Sequence, residues 1–316
     1  MTPDTVYQLL LDHVDQDLLI DHCCLGLTWT VCHTQKSIGF AQSPGIPSRT
    51  LDFPGTVAGS KARDIATWVR SWNPHQATIG LAAINATINT ANNWLIQEAT
   101  RLTDQAMGNL AVFDYLRPRL QHQKIIIIGR YPGLDVLLEG LDVTVLERQP
   151  GQNDLPDPAA EYLLPQADWV FITATSLINK TFPRLARLAR HAVTVLMGPS
   201  TPWLAEFARF DIDFLAGVIP VDARRATQIA AEGGGTRLFG EGVCYGLIDI
   251  GQDNLKRLKQ KIADCAQQRQ QLQLAMENWY AAGHPERFPE YHRLEALTNK
   301  LSQLDTHFKR QWDART

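Results

Sequence analysis

The feature that most constrains the fold is a succession of short apolar segments in the middle of the chain. The first, KIIIIG at residues 124–129, is an unbroken run of β-branched side chains, which is typical of a strand buried on both faces. Four further segments repeat the pattern: DVTVLE, DWVFIT, AVTVLMG and DFLAGVIP. Helical stretches separate them, and this alternation predicts an α/β domain with a doubly wound parallel sheet. We expect this domain to span residues 118–251.

The residues before it predict an α+β domain over residues 1–117. Residues 3–15 have the apolar spacing of a helix. In the segment CCLGLTWTVC, larger apolar residues alternate with smaller or polar ones, which predicts one half-buried strand, with SIGFAQ as its antiparallel partner. Residues 43–60, rich in Pro, Gly and Ser, are expected to form a loop. Helices are predicted at about residues 61–72 and 75–90.

The last part of the chain, residues 252–316, predicts an antiparallel helical hairpin. Apolar residues recur there at alternating steps of 3 and 4 in two stretches, which the segment GHPERFPEY separates. This part carries a net positive charge and the remainder a net negative one, so we expect it to dock on the acidic body or on a protein partner. Its apolar seam also favours a homodimer. The predicted seams consist of Leu255, Leu258, Ile262, Cys265, Arg269, Leu272, Met276 and Trp279, and of Leu294, Leu297, Leu301, Leu304 and Phe308.

Charge and composition exclude several classes of protein. The 316 residues carry a net charge of −3, so no basic field points to nucleic acid. The first residues lack the basic and apolar regions of a signal peptide, and no apolar run is long enough to span a membrane. The five cysteines are an odd number in a large chain, which favours reduced thiols. We therefore expect a cytoplasmic protein.

Small or polar residues follow each predicted strand of the parallel sheet. GRYPG follows the first, Glu147 ends the second, TATSLINKTF contains the end of the third, and GPSTP follows the fourth. Ligands bind beyond the carboxyl ends of the strands in such sheets, so these residues predict one ligand crevice. An alternative is that the hydroxyl and amide groups only cap the following helices. Thr201 is then an N-cap and Pro202 the first helical residue, and the start of that helix would attract anions.

The GRYPG turn differs from a dinucleotide-binding turn. Arg130 and Tyr131 stand where the second glycine of that motif is needed, and Pro132 removes a backbone donor. These bulky residues argue against NAD. Glu147, however, lies about where an acidic residue would bind a ribose. A nucleoside ligand therefore stays open, alongside an ordinary strand-end acid beside Arg148.

A cluster of potential metal ligands lies near the N-terminus. On one straight strand, Cys24 and Cys32 would lie about 26 Å apart, at about 3.3 Å per residue. Cys23 and Cys24 would point to opposite faces, and the chain has no C-x-x-C pair. A closed zinc site is therefore not expected. The cluster consists of Asp21, His22, Cys23, Cys24, Cys32 and His33.

Four segments occur together and in order: GLAAINA at residues 80–86, IIIIGRYPG, ADWVFITATSLINKT and LMGPSTP. Together they resemble the putative heavy-metal chelation family, whose members pair an enolase N-terminal-like domain with a Rossmann-like domain. The resemblance covers residues 5–250, so the hairpin lies outside it, and it implies a site in the cleft between the two domains. The enolase-like part implies a fold only, because the barrel of enolase is absent. The resemblance implicates Asn85, Gly129, Tyr131, Glu147, Thr173, Thr175, Asn179, Gly198, Pro199 and Ser200.

Asn85 is the one implicated residue on the N-terminal side. It lies in a helix that is otherwise lined with Ala, Ile and Leu. A buried amide there is costly unless it is paired. Asn85 therefore either braces a neighbouring loop or faces the cleft.

The leading hypothesis is that the cleft binds a small polar ligand, either a divalent metal ion or a metal–chelator complex. Hydroxyl and amide oxygens are hard donors, which favours a chelator or complex over a bare soft metal. Glu147 and Tyr131 are the cleft candidates with acid–base capability, so they are the predicted catalytic residues if the protein is an enzyme. Two alternatives stay open. One is a transferase that uses S-adenosylmethionine or a nucleotide, and the other is an assembly module whose hairpin acts on a metalloprotein partner.

Overall fold

The computed structural model describes residues 3–48, 50–51, 55–103 and 107–313. The chain forms two compact units, Met1–Asp249 and Ile250–Thr316. Part of the predicted loop at residues 43–60 lies outside the described residues. The division of the first unit at residues 117/118 stays a prediction.

The first unit begins with helix α1 (Thr5–Asp12) and a three-stranded antiparallel sheet made of β1 (His22–Leu25), β2 (Trp29–His33) and β3 (Ile38–Gln42). SIGFAQ pairs with the preceding strand as predicted. The single strand predicted for CCLGLTWTVC is wrong, because the chain reverses between β1 and β2, where the Gly26 N–H donates to the Trp29 carbonyl at 3.1 Å. Leu27 lies in this turn and is 83% exposed. The alternation in CCLGLTWTVC placed Leu27 on the same predicted strand face as Trp29 and Val31, which are buried.

A mixed eight-stranded sheet forms the centre of the same unit within the described residues. Its order is β4-β11-β10-β9-β8-β5-β6-β7, parallel from β10 to β7 and antiparallel at β11 and β4. All five predicted strands are present as β5, β6, β8, β9 and β10, which confirms the α/β fold. Strands β4, β7 and β11 were not predicted. The bounds are β4 Thr100–Leu102, β5 Lys124–Ile128, β6 Asp142–Glu147, β7 Leu155–Pro156, β8 Trp169–Thr173, β9 Val193–Met197, β10 Phe214–Pro220 and β11 Val243–Asp249.

The strand order places a topological switch point at the middle of this sheet. From β5, the chain adds β6 and β7 on one side and then returns to add β8, β9 and β10 on the other. Connections from β5 and β8 therefore leave the sheet in opposite directions and open a crevice between them. Besides α1, the α-helices of this unit among the described residues are α2 Ala62–Ala66, α3 Pro74–Ile88, α4 Trp94–Glu98, α5 Ala111–Leu116, α6 Leu134–Leu137, α7 Ala160–Leu163, α8 Thr175–Ile178, α9 Phe182–Leu188, α10 Ala223–Ala231 and α11 Leu238–Glu241.

Helix α3 is buried along most of its length, as its apolar sequence requires. Every residue from Ala77 to Ile88 is buried, which is typical of a helix that is hydrophobic on all sides. Its start is fixed by Asn73, whose side chain accepts hydrogen bonds from two backbone N–H groups, and by Pro74 at the first helical position. The helix forms a rigid central element to which polar contacts can be anchored.

Three asparagines spaced four residues apart bind α3 and the start of α4 to the segment that follows β9. Asn85 Nδ2 donates to the carbonyl of Ser200 at 3.1 Å. Asn89 donates to the Thr201 carbonyl at 3.1 Å and accepts from the Trp203 N–H at 2.9 Å. Asn93 donates to the Trp203 carbonyl at 2.8 Å. These bonds fix the backbone of the GPSTP segment.

The helix predicted to begin at Pro202 is wrong. Residues 201–204 are irregular, and a 3₁₀ helix begins only at Ala205. Thr201 does not act as a cap, because its hydroxyl donates to the Ala216 carbonyl at 3.3 Å. The asparagine contacts hold this backbone in a non-helical form, so it offers no helix N-terminus to an anion.

The second unit is the predicted antiparallel hairpin, made of α12 (Gln252–Ala281) and α13 (Tyr291–Asp313). Every predicted seam residue is buried or half-buried. Cys265 Sγ lies 3.5 Å from the Leu297 carbonyl, and the Lys259 ammonium lies over the Phe308 ring at 5.5 Å. Among the described helices, none is both long enough and apolar enough to cross a membrane.

We expect the asparagine contacts to stabilise the first unit measurably. Asn89→Ala leaves the Thr201 carbonyl and the Trp203 N–H buried without their partner, which should lower the free energy of unfolding by about 1–3 kcal/mol. Urea unfolding followed by circular dichroism measures the change. The matched control is Asn153→Ala, at an exposed position, which should change stability by less than about 0.5 kcal/mol. Equal effects of the two substitutions would contradict this role.

Candidate functional site

A cavity of about 460 Å³ lies beyond the carboxyl ends of β5, β6, β8 and β9, at the switch point of the sheet. Strand ends and the turns after them form one side. The turn between β1 and β2 and the end of β3 contribute Thr28, Trp29 and Gln42 to the other side. Residues from the N-terminal sheet and from the parallel sheet therefore enclose the same cavity.

Nine of the ten predicted site residues line this cavity: Gly129, Tyr131, Glu147, Thr173, Thr175, Asn179, Gly198, Pro199 and Ser200. Asn85 does not. It is fully buried behind the cavity wall, where its Nδ2 donates to the Phe40 carbonyl at 2.8 Å as well as to Ser200. These contacts are the ones expected if Asn85 braces neighbouring backbone instead of facing the cleft.

Other lining residues were missed by sequence reasoning. Thr28 and Trp29 come from the unpredicted turn, Gln42 from the end of β3, and Tyr245 from the unpredicted strand β11. Gly235, Thr236 and Phe239 come from the segment between α10 and β11. The available signal was the pair of large aromatic residues, Trp29 and Tyr245, each inside an apolar segment. Their convergence depends on long-range pairing that no local pattern shows.

Polar side chains on the strand-end side form a connected series. The Thr173 hydroxyl donates to the Thr175 hydroxyl at 3.1 Å, which donates to Gln42 Oε1 at 2.7 Å. The Gln42 N–H donates to the Ser200 hydroxyl at 2.9 Å. Gln42 therefore ties the small sheet to the ends of β8 and β9 and holds their hydroxyl groups in fixed positions.

Asn179 has a structural task of its own. Its Oδ1 accepts from the Thr181 N–H at 3.1 Å and from the Thr181 hydroxyl at 2.7 Å. Such a turn shapes the entry to α9. Asn179 Oδ1 therefore has the local turn-forming role that was the alternative to ligand binding for the polar residues after β8. The residue also lines the cavity.

Aromatic rings form the opposite side of the cavity. Phe239 stacks on Tyr245 with ring centroids 4.9 Å apart and meets Trp29 edge-on at 6.3 Å. The Trp29 indole N–H donates to the Gly235 carbonyl at 2.8 Å, which fixes the ring. One wall of the cavity is therefore aromatic, and the other carries hydroxyl and amide groups.

Three buried hydroxyl groups among the described residues lack hydrogen-bond partners. They belong to Tyr131, Ser176 and Tyr245, all of which line the cavity, and Ser176 and Tyr245 are 0% and 1% exposed. Burial raises the pKa of Tyr245 well above its usual value, so its hydroxyl keeps its proton. The buried Tyr131 hydroxyl approaches Thr173 without forming a bond of ordinary geometry, and burial also raises its pKa. Each of these groups offers a hydrogen bond that the protein itself leaves unused.

Glu147 is a half-buried carboxylate in the cavity lining, as is Asp157. Burial raises the pKa of the Glu147 carboxyl group above the usual value, while the backbone N–H groups of Arg130 and Arg148 act in the opposite sense. Arg130 is held in place by ion pairs with Asp154 and with Asp135, the latter at 2.7 Å. Glu147 can therefore accept hydrogen bonds from a ligand or exchange a proton with it.

The donor set does not fit a bare soft metal ion. The described lining residues include no Cys, His or Met, and soft metals prefer sulfur and imidazole ligands. Among the described residues, no group of three or more His, Cys, Asp or Glu is arranged to hold a metal. The separation of about 26 Å expected for Cys24 and Cys32 on one straight strand does not apply, because the β1–β2 turn brings their strands together.

Comparison with known proteins assigns the chain to a family. Two family models match it, at residues 111–248 and 7–88, and both are described as putative heavy-metal chelation. Together they cover more than half of the chain. The chain belongs to the putative heavy-metal chelation family.

One curated protein and two solved structures are similar to this chain. An uncharacterized protein of Methanocaldococcus jannaschii is 31% identical over 159 residues, which are 48% of this chain and only 57% of the relative. A DUF364-family crystal structure from Desulfitobacterium hafniense has a TM-score of 0.69 and 28% identity, over 78% of this chain and 98% of that one. One from Pyrococcus horikoshii shares the fold with a TM-score of 0.62 and 20% identity, over 79% and 100%. Both structures are described as having unknown function.

The turn after β9 requires a glycine, and a paired substitution tests this. Gly198 has φ +119° with open space where a side-chain methyl group would lie, so Gly198→Ala adds backbone strain but no clash. We expect it to lower the free energy of unfolding by about 1–2 kcal/mol. Gly240→Ala, in helix α11 and equally unobstructed, should instead raise it by about 0.5–1 kcal/mol. Urea unfolding of both variants measures the difference, and the same sign for both would contradict the expectation.

Proposed function

We propose that the cavity binds a metal–chelator complex through the organic part of the ligand. The family description points to a metal. The chemistry of the cavity lining is the reason to expect an organic chelator around that metal. An aromatic wall suits the apolar or ring portion of such a ligand. The facing hydroxyl and amide groups suit its polar edge.

The unpartnered hydroxyls of Ser176 and Tyr245 are the observation that carries this proposal. A buried hydroxyl without a hydrogen bond costs about 1–3 kcal/mol, and both residues belong to the cavity lining. A ligand that accepts a hydrogen bond from Tyr245 and engages Ser176 recovers that cost on binding. Carboxylate and carbonyl oxygens of a chelator have the required acceptor character.

The lining residues would hold the complex without replacing its own ligands. Hydroxyl and amide groups are hard, neutral donors and compete poorly with a chelator for a soft ion. Glu147 would accept hydrogen bonds from the ligand or contribute a carboxylate at its edge. Tyr131, whose hydroxyl keeps its proton, would act as a hydrogen-bond donor and not as a base.

Thermal unfolding with separate additions tests the proposal. The additions are Zn²⁺, Ni²⁺, their citrate and histidine complexes, and each chelator alone. A ligand that binds only the folded state at about 100 times its Kd adds about 2.7 kcal/mol of stability. We expect a metal–chelator complex to raise the Tm more than either component does alone. A rise with the free ion that the chelator abolishes would overturn the proposal.

Tyr245→Phe locates the ligand in the cavity. Because the hydroxyl has no partner among the described residues, its removal should leave the Tm of the protein alone unchanged or higher. The affinity for the complex should fall by about 1–3 kcal/mol, which titration calorimetry measures. The matched control is Tyr162→Phe, at a tyrosine that is 75% exposed. Equal affinities for the parent, Tyr245→Phe and Tyr162→Phe would place the ligand elsewhere.

A nucleoside cofactor is a second candidate, which the switch point and Glu147 favour. The acidic residue at the end of the strand next to β5 has the place of a ribose-binding acid in doubly wound sheets. S-adenosylmethionine would bind with its ribose on Glu147 and its purine against the aromatic wall. The protein would then be a transferase.

Glu147→Gln tests this candidate. Loss of a hydrogen bond to a charged group costs about 1.5–3 kcal/mol, so the Kd for S-adenosylmethionine should rise at least about tenfold. Calorimetry with the parent, Glu147→Gln and the exposed control Glu139→Gln gives the comparison. If Glu147→Gln binds S-adenosylmethionine as tightly as the parent, the ribose assignment is wrong.

The homodimer, the protein partner of residues 252–316 and the cytoplasmic location stay predictions.

A further inference from the structure

We propose that Cys23 and Cys32 are an oxidation site that forms a reversible intramolecular disulfide. The two residues lie outside the cavity, on the neighbouring strands β1 and β2, and lie directly opposite each other in the antiparallel register. Their Sγ atoms are 3.7 Å apart. Both are thiols in the structure.

The strand register suits the bond. Gly26 and Trp29 form a hydrogen-bonded pair at the turn, and hydrogen-bonded and non-hydrogen-bonded pairs alternate along an antiparallel ladder. Counting back from the turn makes Cys23–Cys32 a non-hydrogen-bonded pair. Such pairs have Cα atoms about 4.5 Å apart, which lies within the range of about 4.4–6.8 Å that disulfides use.

The third cysteine of this region is excluded by its direction. Cys24 points to the other face of the β1–β2 strand pair, where it packs against the main hydrophobic core and lies opposite Val31. Cys32 faces α3, with its Sγ 3.9 Å from the Ile79 carbonyl. Cys24 cannot reach Cys32 without a change of strand register, so the geometry selects one pair.

The two thiols differ in accessibility, which divides their roles. Cys23 is half-buried and Cys32 is 0% exposed. A hydrogen bond from Cys32 lowers the pKa of the Cys23 thiol, although burial opposes this, and the same pairing together with burial raises the pKa of Cys32. A half-buried thiol with a lowered pKa beside a fully buried thiol is the arrangement of an attacking and a resolving cysteine.

The reaction is thiol–disulfide exchange with a small disulfide such as oxidised glutathione. The Cys23 thiolate attacks one sulfur of that disulfide, forming a mixed disulfide and releasing one glutathione thiolate. The Cys32 sulfur, on losing its proton, then attacks Cys23 Sγ, which forms the Cys23–Cys32 bond and releases the second glutathione. The small disulfide is reduced by two electrons, and the protein dithiol is oxidised by two.

Mass spectrometry of the full chain tests the proposal. The protein is incubated with oxidised glutathione, its remaining thiols are alkylated, and the intact mass and peptides are measured. We expect a form with two fewer alkylated thiols, a peptide cross-link between Cys23 and Cys32, and reversal by dithiothreitol. Complete alkylation of both residues, or a disulfide that involves Cys24 or a second chain, would overturn the proposal.

Three variants separate the roles of the cysteines. Cys32→Ala should stop at a glutathione adduct on Cys23, because the resolving thiol is gone. Cys23→Ala should form neither the adduct nor the cross-link, because Cys32 is not accessible. Cys24→Ala is the matched control and should form the cross-link at a rate within about twofold of the parent. A cross-link lost equally in all three variants would contradict the assignment, and the parent measurement stands even if Cys32→Ala folds poorly.

Discussion

The hydrogen bonds from Asn85, Asn89 and Asn93 to residues 200–203 are the constraint on which the candidate site depends. They join helix α3, which is buried from Ala77 to Ile88, and the start of α4 to the segment that follows β9. Amide side chains suit this task because each offers both a donor and an acceptor to an irregular backbone. The segment so held contains Ser200, whose hydroxyl accepts from the Gln42 N–H. The cavity wall is thereby positioned by contacts that lie outside the cavity.

The two walls of the cavity have different origins in the chain. The polar wall comes from strand ends of the parallel sheet, where small and polar residues follow each buried strand. The aromatic wall comes from Trp29, Phe239 and Tyr245, which reach the cavity through the β1–β2 turn and the segment around β11. A site with one aromatic side and one hydroxyl-rich side discriminates by shape and hydrogen bonding, which is more selective for an organic ligand than for an ion.

The sequence predicts the polar wall well and the aromatic wall poorly, for a physical reason. Buried parallel strands are continuous apolar runs, so their ends can be read locally and their adjacency follows from the topology. Strand β11 pairs antiparallel with β4, which lies far away in the chain, and no local pattern specifies that pairing. The turn at Gly26 was missed because the alternation of CCLGLTWTVC continues through it. Likewise, Thr201 and Pro202 have the local signature of a helix start, but the contacts of Asn89 override it.

That missed turn links the two parts of the molecule in which chemistry is proposed. By reversing the chain after Leu25, it directs Trp29 into the cavity and sets Cys32 opposite Cys23. A straight strand would have separated these cysteines by about 30 Å at about 3.3 Å per residue. The residues that form the β1–β2 turn are therefore needed both for the aromatic wall and for the Cys23–Cys32 dithiol. Because strand β2 carries both Trp29 and Cys32, a disulfide at one end would restrain the strand that presents the indole ring at the other.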